Sequence, residues 1–549
     1  MRLRLIIRIA IIVSVVLLCT GFGVYSFLRL DAADRQRDFN LYELVPQDAV
    51  ALVETDRMAE LVSDIDELHC SKDNHFLPIS ELFVYLKKYF YTFVDDTPHG
   101  LSKQMNKMLL SFHEPDDALN QVLYCSLGAD DPQLVEAFIQ KYSSSTFPSR
   151  TFEYKGEDIH IYPMAGGRFL AAYFTSDFLA VSFQKRLIEQ VIDAYRSDRS
   201  LMQLPSFRAM HTEKRTNVSA TVYVRMKSVD MGKGSDSLQT TALLGNWAEF
   251  DLKLSGEGIY CSGISHEADS MLTFINILGK QRPVEEFPGK QLPASTFFYD
   301  CLSISDKEAM FGFTASQEYA KSSYSDYIKD RDKEWIDFVS ELGGEQAISC
   351  LFQSKDTTDK HPCAVLSLPL KDAAQAEKKL QSLLYTTPKE KDAPPLPKLS
   401  PEYARYPKAR WYRQYILPRN TLLTQLSGVA ESSLYSYACF YKGAMLLASD
   451  ARSLSAYIDA MERGEVLEGV SAYEEVVSSL SQSYRFVMMA DLGEVFRQPE
   501  AYVRLVPNFF FRQADFFRHF MLSIQFTCSE GVVYPNIVLL YKGDPKLVD

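Results

Sequence analysis

The sequence predicts an α+β protein: an N-terminal transmembrane helix followed by two related repeats of mixed or antiparallel sheet with packed helices. Three observations predict this fold class. A long uncharged run stands near the N-terminus, the second half of the chain echoes the first, and strand-like segments occur in groups with helical segments between them. Helices that fall between groups of strands, without a regular β-α-β alternation, favour antiparallel or mixed sheets.

The first predicted element is a membrane anchor. Arg2, Arg4 and Arg8 precede an uncharged stretch that ends at residue 28. Twenty helical residues rise about 30 Å, which is enough to cross the hydrocarbon core of a bilayer. A secretory signal peptide has a similar basic start but a shorter apolar stretch, so cleavage after Gly23 is the alternative. Positive charge beside a spanning segment stays in the cytoplasm. We therefore expect a single-pass protein of the inner membrane, with its N-terminus in the cytoplasm and its bulk outside.

The later elements come from four matches that occur in the same order in both halves. The clearest is a strand, a turn and a strand at residues 251–261 and again at residues 524–534, each with Glu-Gly at the expected turn. An earlier match joins the strand at Phe178–Ser182 to a helical pattern, as residues 444–449 do in the second half. The predicted domains are 1–40 for the cytoplasmic stub, anchor and tether, 41–285 for the first α+β repeat, and 286–549 for the second repeat with a basic, Pro-rich insertion near 388–419.

Composition excludes some classes of protein. The chain is 46% hydrophobic and 23% charged, which is typical of a folded protein rather than a disordered one. A formal net charge of -13 argues against a general nucleic-acid binder, since such proteins carry a basic face. Nine cysteines without a CxxC pair predict buried, unpaired thiols, and one or two disulfides stay open as an alternative in an oxidising compartment.

The sequence contains no motif that predicts a reaction. There is no HExxH, no GxSxG and no phosphate-binding loop. Ser182-Phe-Gln-Lys185 fits the SxxK pattern of serine acyl-enzymes, but no Lys-Thr-Gly accompanies it, and the matching Ser449 is followed by Arg452 in place of the lysine. Helix capping is the interpretation we favour for Ser182. We therefore predict no catalytic residue, no metal site and no cofactor.

The insertion at 388–419 is the candidate binding surface. It carries eight cations and three anions, and tyrosines and a tryptophan lie between the cations. Such a mixture suits stacking on sugar rings or contact with lipid headgroups, while arginines meet phosphate or carboxylate. The alternative is a surface loop whose aromatic residues pack on their own domain. The predicted binding residues are Arg405, Lys408, Arg410, Trp411 and Arg413.

A second aromatic and basic segment covers residues 503–520. Six phenylalanines occur there beside three arginines and a histidine. A helix of this composition lies on a membrane surface or docks a partner in some proteins. The alternative is a helix that packs on its own sheet.

The pattern resembles uncharacterised, single-pass envelope proteins of Bacteroidota-type bacteria, which are classified as a domain of unknown function. The resemblance is carried by the opening Pro46-Gln-Asp48-Ala-Val, by the strand and cap at Phe178–Ser182, and by the hairpins that turn on glycine. It covers most of residues 41–549 and implies no known reaction.

We therefore expect a membrane-anchored, extracytoplasmic binding or scaffolding protein of the bacterial envelope that is not an enzyme. Two alternatives stay open. One is a hydrolase of envelope polymer, which converging carboxylates or a Ser-His pair would support, and the other is a lipid-handling protein, which would need an apolar cavity. The expected partners are the membrane, through the N-terminal helix, and an anionic lipid, an anionic glycan or an envelope protein.

Overall fold

A computed structural model of the protein describes residues 39–72, 107–114, 119–127, 148–164, 167–197, 199–210, 218–225, 247–265, 274–319, 326–355, 361–386, 412–417, 435–502, 505–506 and 508–543. The chain divides into two compact units. The first unit comprises residues 1–62 and 78–212, and the second comprises residues 63–77 and 213–549.

The described strands, in chain order, are β1 (Ala51–Thr55), β2 (Met108–Phe112), β3 (Gln121–Ser126), β4 (Arg150–Tyr154), β5 (Glu157–Pro163), β6 (Phe169–Phe174), β7 (Phe178–Ser182), β8 (Ala220–Arg225), β9 (Trp247–Ser255), β10 (Gly258–Ser265), β11 (Thr296–Ser303), β12 (Gln346–Phe352), β13 (Cys363–Pro369), β14 (Gln414–Ile416), β15 (Tyr437–Tyr441), β16 (Ala444–Ala448), β17 (Phe486–Asp491), β18 (Phe520–Ser529) and β19 (Val532–Tyr541).

The described α-helices are α1 (Met58–Glu67), α2 (His69–Lys72), α3 (Lys185–Arg196), α4 (Pro205–Met210), α5 (Phe274–Lys280), α6 (Lys307–Tyr319), α7 (Asp326–Leu342), α8 (Ala373–Thr386), α9 (Ala451–Glu462), α10 (Ser471–Ser478), α11 (Leu492–Val495), α12 (Pro499–Tyr502), α13 (Asn508–Arg512) and α14 (Ala514–Phe517). Short 3₁₀ helices occur at Leu41–Leu44, Leu201–Gln203 and Pro288–Gln291.

The first unit contains an antiparallel sheet with a helix on it. Its seven described strands follow the order β1-β2-β3-β7-β6-β5-β4. Helix α3 packs against β3, β6 and β7. It does so because Leu187, Ile188, Val191 and Ile192 recur at helical spacing on one face, and all four are fully buried.

The second unit contains a larger antiparallel sheet. Its strand order is β8-β9-β10-β19-β18-β17-β11-β12-β13-β16-β15-β14. Helices α6, α7 and α8 share one apolar cluster with Leu302 and Leu368 of the sheet. Helices α9 and α10 share another with Cys301 and Val365. Because successive residues of a strand point to opposite faces, helices cover the sheet on both sides.

The predicted fold class is wrong. We expected an N-terminal transmembrane helix and two related repeats of mixed or antiparallel sheet, with the second repeat beginning at residue 286. Instead, β8, β9 and β10, which belong to the predicted first repeat, continue into the sheet that runs through β19 to β14. The hydrophobic pattern of a strand reports which face is buried, but it does not identify the neighbouring strand. The large antiparallel sheet therefore could not be seen in the sequence.

The predicted anchor is not among the described helices. Within the described residues, no helix combines the length and the apolar content needed to cross a bilayer. The predicted anchor segment, 1–40, lies outside the described residues except for Phe39 and Asn40. The predicted insertion at 388–419 also lies outside them, except for residues 412–417.

Candidate functional site

A groove opens beside the C-terminal end of α3 in the first unit. The helix ends at Arg196, and the chain then reverses through the 3₁₀ helix Leu201–Gln203 into α4. A backbone hydrogen bond from Leu201 N to Val45 O, 2.8 Å long, holds this reversal in place. The groove has a volume of about 620 Å³ and is lined by Asn40, Glu43, Ala194, Tyr195, Arg196, Ser200, Met202, Gln203 and Arg208.

Two arginines contribute charged hydrogen-bond donors to the groove. The Nε of Arg208 donates to Met202 O at 3.0 Å, and one of its terminal nitrogens donates to Gln203 Oε1 at 3.3 Å. Arg196 forms an ion pair with Glu157. A guanidinium carries five N–H donors, so neither arginine is saturated by these contacts. Both are therefore able to donate to a ligand.

An aromatic ring forms part of the groove wall. The Tyr195 ring meets Phe178 edge-on, with 5.3 Å between ring centroids, and lies 6.0 Å from Phe39. Packing on two neighbours limits the movement of the ring. A fixed aromatic face beside arginines and amides suits a polar ligand that also presents a flat apolar surface.

A second constellation lies between the sheet of the first unit and α3. The Ser111 hydroxyl is 2.8 Å from His113 Nε2, and His113 Nδ1 is 3.1 Å from Asp48 Oδ1. Tyr124 OH is 3.2 Å from the same Ser111 oxygen. Gln190 Nε2, on α3, donates to the other oxygen of Asp48 at 3.3 Å. These side chains form one continuous chain of hydrogen bonds from the surface into the core.

One assignment of protons satisfies this chain completely. Tyr124 donates to Ser111, Ser111 donates to His113 Nε2, and His113 Nδ1 donates to Asp48. The hydrogen bond from His113 lowers the pKa of the Asp48 carboxyl below its ordinary value. Burial raises the pKa of the Tyr124 phenol, so Tyr124 stays neutral.

The order of atoms matches the serine, histidine and carboxylate set of acyl-transfer enzymes, but the nucleophile is inaccessible. Ser111 and Tyr124 have no exposed surface, and His113 is 1% exposed. Ser111 lies on β2 between Leu52 of β1 and Val122 of β3. An ester or amide carbonyl cannot approach to the roughly 3 Å that attack requires. In this structure the chain of hydrogen bonds can hold elements together but cannot attack a substrate.

Most predicted binding residues fall outside the described part of the chain. This applies to Arg405, Lys408, Arg410 and Trp411. Arg413 is described. It is exposed, and its guanidinium carbon lies 5.2 Å from the centre of the Tyr415 ring.

One aromatic residue of the insertion packs on its own unit, as the surface-loop alternative predicts. The Tyr412 ring meets Tyr441 edge-on at 5.1 Å and packs against the core of the second unit. Part of the segment's aromatic content therefore packs on its own unit, as a surface loop would.

Ser182 is not a nucleophile in this structure, and it is not the N-cap of α3. Its buried hydroxyl donates to Gln121 O at 2.6 Å and accepts from Gln184 N at 3.0 Å. Residue Gln184 occupies the N-cap position and makes no side-chain cap bond. In the second unit, Asp450 rather than Ser449 caps the helix, by accepting from Ser453 N.

The sequence analysis missed both Ser111 and His113. A signal was present, because the two polar residues alternate with apolar ones along a strand and therefore point to the same face. Their partner Asp48 belongs to an opening that we used only as a mark of resemblance. Asp48 and His113 are 65 residues apart in the chain, so no local pattern indicates that they are in contact.

Within the described ranges, no group of three or more His, Cys, Asp or Glu side chains is placed to hold a metal ion. Neither Glu43 in the groove nor Asp48 in the hydrogen-bond chain belongs to such a group within these ranges, and calcium and zinc sites need several such ligands.

Comparison with known proteins identifies a domain of unknown function. The family described as "Protein of unknown function (DUF3352)" matches residues 109–298, which is less than half of the chain. This match confirms the coarser part of the resemblance seen in the sequence. No curated protein matches the chain.

Two solved structures are similar to the chain at a low level. They are titled "Structure of crystal form III of TP0453" and "Structure of crystal form I of TP0453". They are 13% and 14% identical, cover 46% of this chain and 90% and 89% of their own, and superpose with a TM-score of 0.25 each. At that score the likeness supports no conclusion about fold or function.

Proposed function

We propose that the protein is a non-enzymatic binding or scaffolding protein of the bacterial envelope, and that the groove of the first unit is its ligand site. The observation that carries the proposal is the groove itself: about 620 Å³ of space lined by two arginines, one glutamate, a tyrosine, three uncharged polar residues and two apolar residues. Sites for small ligands commonly have volumes of roughly 300–1,000 Å³ and a few convergent polar groups.

The lining favours a carboxylated sugar as the ligand class. Arg196 and Arg208 have donors to spare for a carboxylate, and guanidinium and carboxylate match as flat, two-pronged partners. Asn40 and Gln203 offer partners for hydroxyl groups, and the Tyr195 side chain offers an apolar surface for the sugar ring. An apolar ligand would leave these groups unpaired, so the lining argues against the lipid-handling alternative.

The experiment measures binding of glucuronate by NMR titration, with glucose as the uncharged comparison. We expect glucuronate to bind more tightly than glucose. Arg208→Ala should weaken glucuronate binding at least fivefold, and Arg208→Lys should restore it only in part, because lysine lacks the forked geometry. Arg186→Ala is the matched control, since Arg186 is an exposed arginine of α3 outside the groove. Equal binding of both sugars, or equal effects of Arg186→Ala and Arg208→Ala, would refute the assignment.

The envelope location rests on the sequence. Three arginines precede the uncharged run, and this asymmetry supports a retained single-pass anchor in the inner membrane with the bulk outside the cytoplasm. Protease added to spheroplasts should digest the protein. Protection from that protease, or a mature N-terminus after Gly23, would contradict the location. The origin in Bacteroidota-type bacteria likewise rests on the residues of the resemblance.

The basic insertion supports a second contact with an anionic envelope partner. Cations attract an anionic partner through forces that salt screens, so binding should weaken as salt shortens the Debye length below about 10 Å. Replacing Arg405, Lys408, Arg410 and Arg413 with serine should reduce binding to vesicles that contain phosphatidylglycerol and leave the melting temperature unchanged. Undiminished vesicle binding would show that these four cations do not bind anionic lipid, and the surface-loop alternative would then hold.

An envelope-polymer hydrolase is the second candidate function, because a Ser-His-Asp chain is present. Burial of Ser111 argues against it. A fluorophosphonate probe labels activated serines, and it should label the native protein no more than a Ser111→Ala control. Stoichiometric labelling of Ser111 that disappears in the alanine variant would favour the hydrolase.

A further inference from the structure

The segment at residues 45–48 connects the buried hydrogen-bond chain to the groove. Three contacts tie it to the start of the 3₁₀ helix that lines the groove. Leu201 N donates to Val45 O at 2.8 Å, Pro46 pairs with Ser200 as an antiparallel bridge, and the Gln47 side chain donates to Ser200 O at 3.2 Å. The backbone of this segment therefore supports one wall of the groove.

The other end of the segment is Asp48, which is held from two directions. His113, which directly follows β2, donates to one carboxylate oxygen, and Gln190 of α3 donates to the other. The same helix ends in Ala194, Tyr195 and Arg196, which line the groove. One carboxylate thus joins the sheet, the helix and the segment that supports the 3₁₀ helix.

We propose that Asp48 and His113 are positioning residues that set the shape of the ligand groove without touching the ligand. This inference rests on the proposed function of the groove. Hydrogen bonds to a charged carboxylate are stronger than neutral ones, and they fix the direction as well as the distance of their partners. Loss of the Asp48 contacts would release residues 45–48, and the start of the 3₁₀ helix would lose its support.

The experiment uses two substitutions of one residue that separate its two hydrogen bonds. The amide nitrogen of His113→Asn falls near Nδ1, so this variant keeps a donor toward Asp48 and loses the bond to Ser111. The amide of His113→Gln reaches the Nε2 position, so it keeps the bond to Ser111 and loses the donor toward Asp48. Asp48→Ala removes the carboxylate, and Asp193→Asn changes a carboxylate of α3 that contacts Lys155 and not the segment.

Amide hydrogen exchange at Leu201 and Gln203 is the first readout, and it needs no ligand. Their amides donate to Val45 O and Ser200 O. We expect exchange to accelerate at least tenfold in His113→Gln and Asp48→Ala, and to stay within threefold of wild type in His113→Asn and Asp193→Asn. Equal acceleration in the Asn and Gln variants would mean that the histidine only fills space, and unchanged exchange in Asp48→Ala would mean that the carboxylate supports nothing. Either result overturns the proposal.

Glucuronate affinity is the second readout. We expect His113→Gln and Asp48→Ala to weaken binding at least fivefold and His113→Asn to retain it within twofold. If wild type binds no glucuronate, the groove assignment fails, whereas the exchange comparison still decides whether Asp48 and His113 hold the 3₁₀ helix. If wild type binds and all three variants bind equally, the groove assignment stands and the positioning role is refuted.

Discussion

At the residue scale, Asp48 contributes stability only while it is ionised. Its side chain is 49% exposed, so the contribution is reduced by solvent, and we expect about 1 kcal/mol or less for its hydrogen bond to His113. Its folded pKa is lowered from the ordinary value of 3.8. A carboxylate with a lowered folded pKa stabilises above its unfolded pKa, and the stabilisation disappears as the pH falls through the folded pKa.

The lowered pKa of Asp48 predicts how the stability of a variant depends on pH. Asp48→Asn should be less stable than wild type at pH 6, and the difference should shrink below about pH 4, since the carboxyl of the unfolded wild-type chain then takes up a proton that the folded carboxyl takes up only at lower pH. Urea unfolding of both proteins between pH 6 and pH 3 measures it. A difference that stays constant or grows toward pH 3 would show that the carboxylate charge is not involved.

The cysteines are a second feature at this scale. Within the described residues no cysteine forms a disulfide, and six of the eight cysteines there are buried. Burial raises the pKa of the Cys125, Cys301 and Cys439 thiols to about 12. Since the thiolate is the reactive form, these groups are nearly inert at neutral pH. The structure agrees with the free thiols expected from the sequence, although Cys261 and Cys528 are only partly buried.

We predict slow thiol modification in the folded protein. A pulse of iodoacetamide at pH 7.5 should label the buried cysteines by less than a tenth of the extent reached in guanidinium chloride, as measured by peptide mass spectrometry. Cys528, which is partly exposed, serves as the internal comparison. Rapid native labelling of Cys301 would contradict the packing around it.

At the element scale, three hairpins turn on a residue followed by glycine. Lys155-Gly156, Lys442-Gly443 and Glu530-Gly531 all have positive φ at both positions, as type I′ turns require. The sequence indicated the turn at Glu530-Gly531 correctly. It misplaced the other Glu-Gly pair, because Gly258 begins β10 and the turn before it is Gly256-Glu257.

Gly443 and its neighbour provide a prediction for these turns. A β-carbon at Gly443 meets no atom within 4 Å, so the cost of Gly443→Ala is backbone conformation alone, about 1 kcal/mol. Lys442→Asn should be close to neutral, since asparagine tolerates the left-handed region better than lysine but loses the exposed ion pair with Glu462 and the contact with the Tyr441 ring. Thermal unfolding of the two variants tests the turn type, and a Gly443→Ala protein as stable as wild type would refute it.

The composition of the aromatic segment at 503–520 does not decide between contact with a membrane and packing on the chain's own sheet. Membrane contact and packing on the chain's own sheet were both open. Phe516, Phe517 and Phe520 are buried in one cluster, so packing is the outcome for these residues. Aromatic and basic residues look alike in sequence in both cases. The decision depends on whether a sheet face is free to receive them, which is a property of the fold.

At the scale of the whole molecule, the sequence indicated individual strands well and their partners poorly. The strand at Phe178–Ser182 has the bounds read from the sequence. Its neighbours β3 and β6 follow from tertiary packing, as does the contact between Asp48 and His113. The groove could not be predicted for the same reason, because its lining comes from chain segments about 150 residues apart.

The pairing of β10 with β19 supports a prediction for the second unit. A β-carbon at Gly258 would lie 2.7 Å from Leu539 O, closer than real contacts allow. Gly258→Ala should therefore destabilise the second unit by roughly 1–3 kcal/mol through a forced backbone shift. Gly312→Ala is the control, because Gly312 is exposed on α6 with open space around it and alanine favours helix. Calorimetry of both variants measures the effect, and equal melting temperatures would contradict the close approach.

The same pairing has a consequence for how the chain reaches its folded state. Strand β10 ends at Ser265, and its partner β19 begins only at Val532. Synthesis at about 5–20 residues per second separates the two strands by on the order of tens of seconds. Until β19 emerges, one side of β10 carries unpaired backbone donors and acceptors, which invite pairing with another chain. Loss of β19 alone should therefore leave this edge of β10 unpaired and make the protein prone to aggregation.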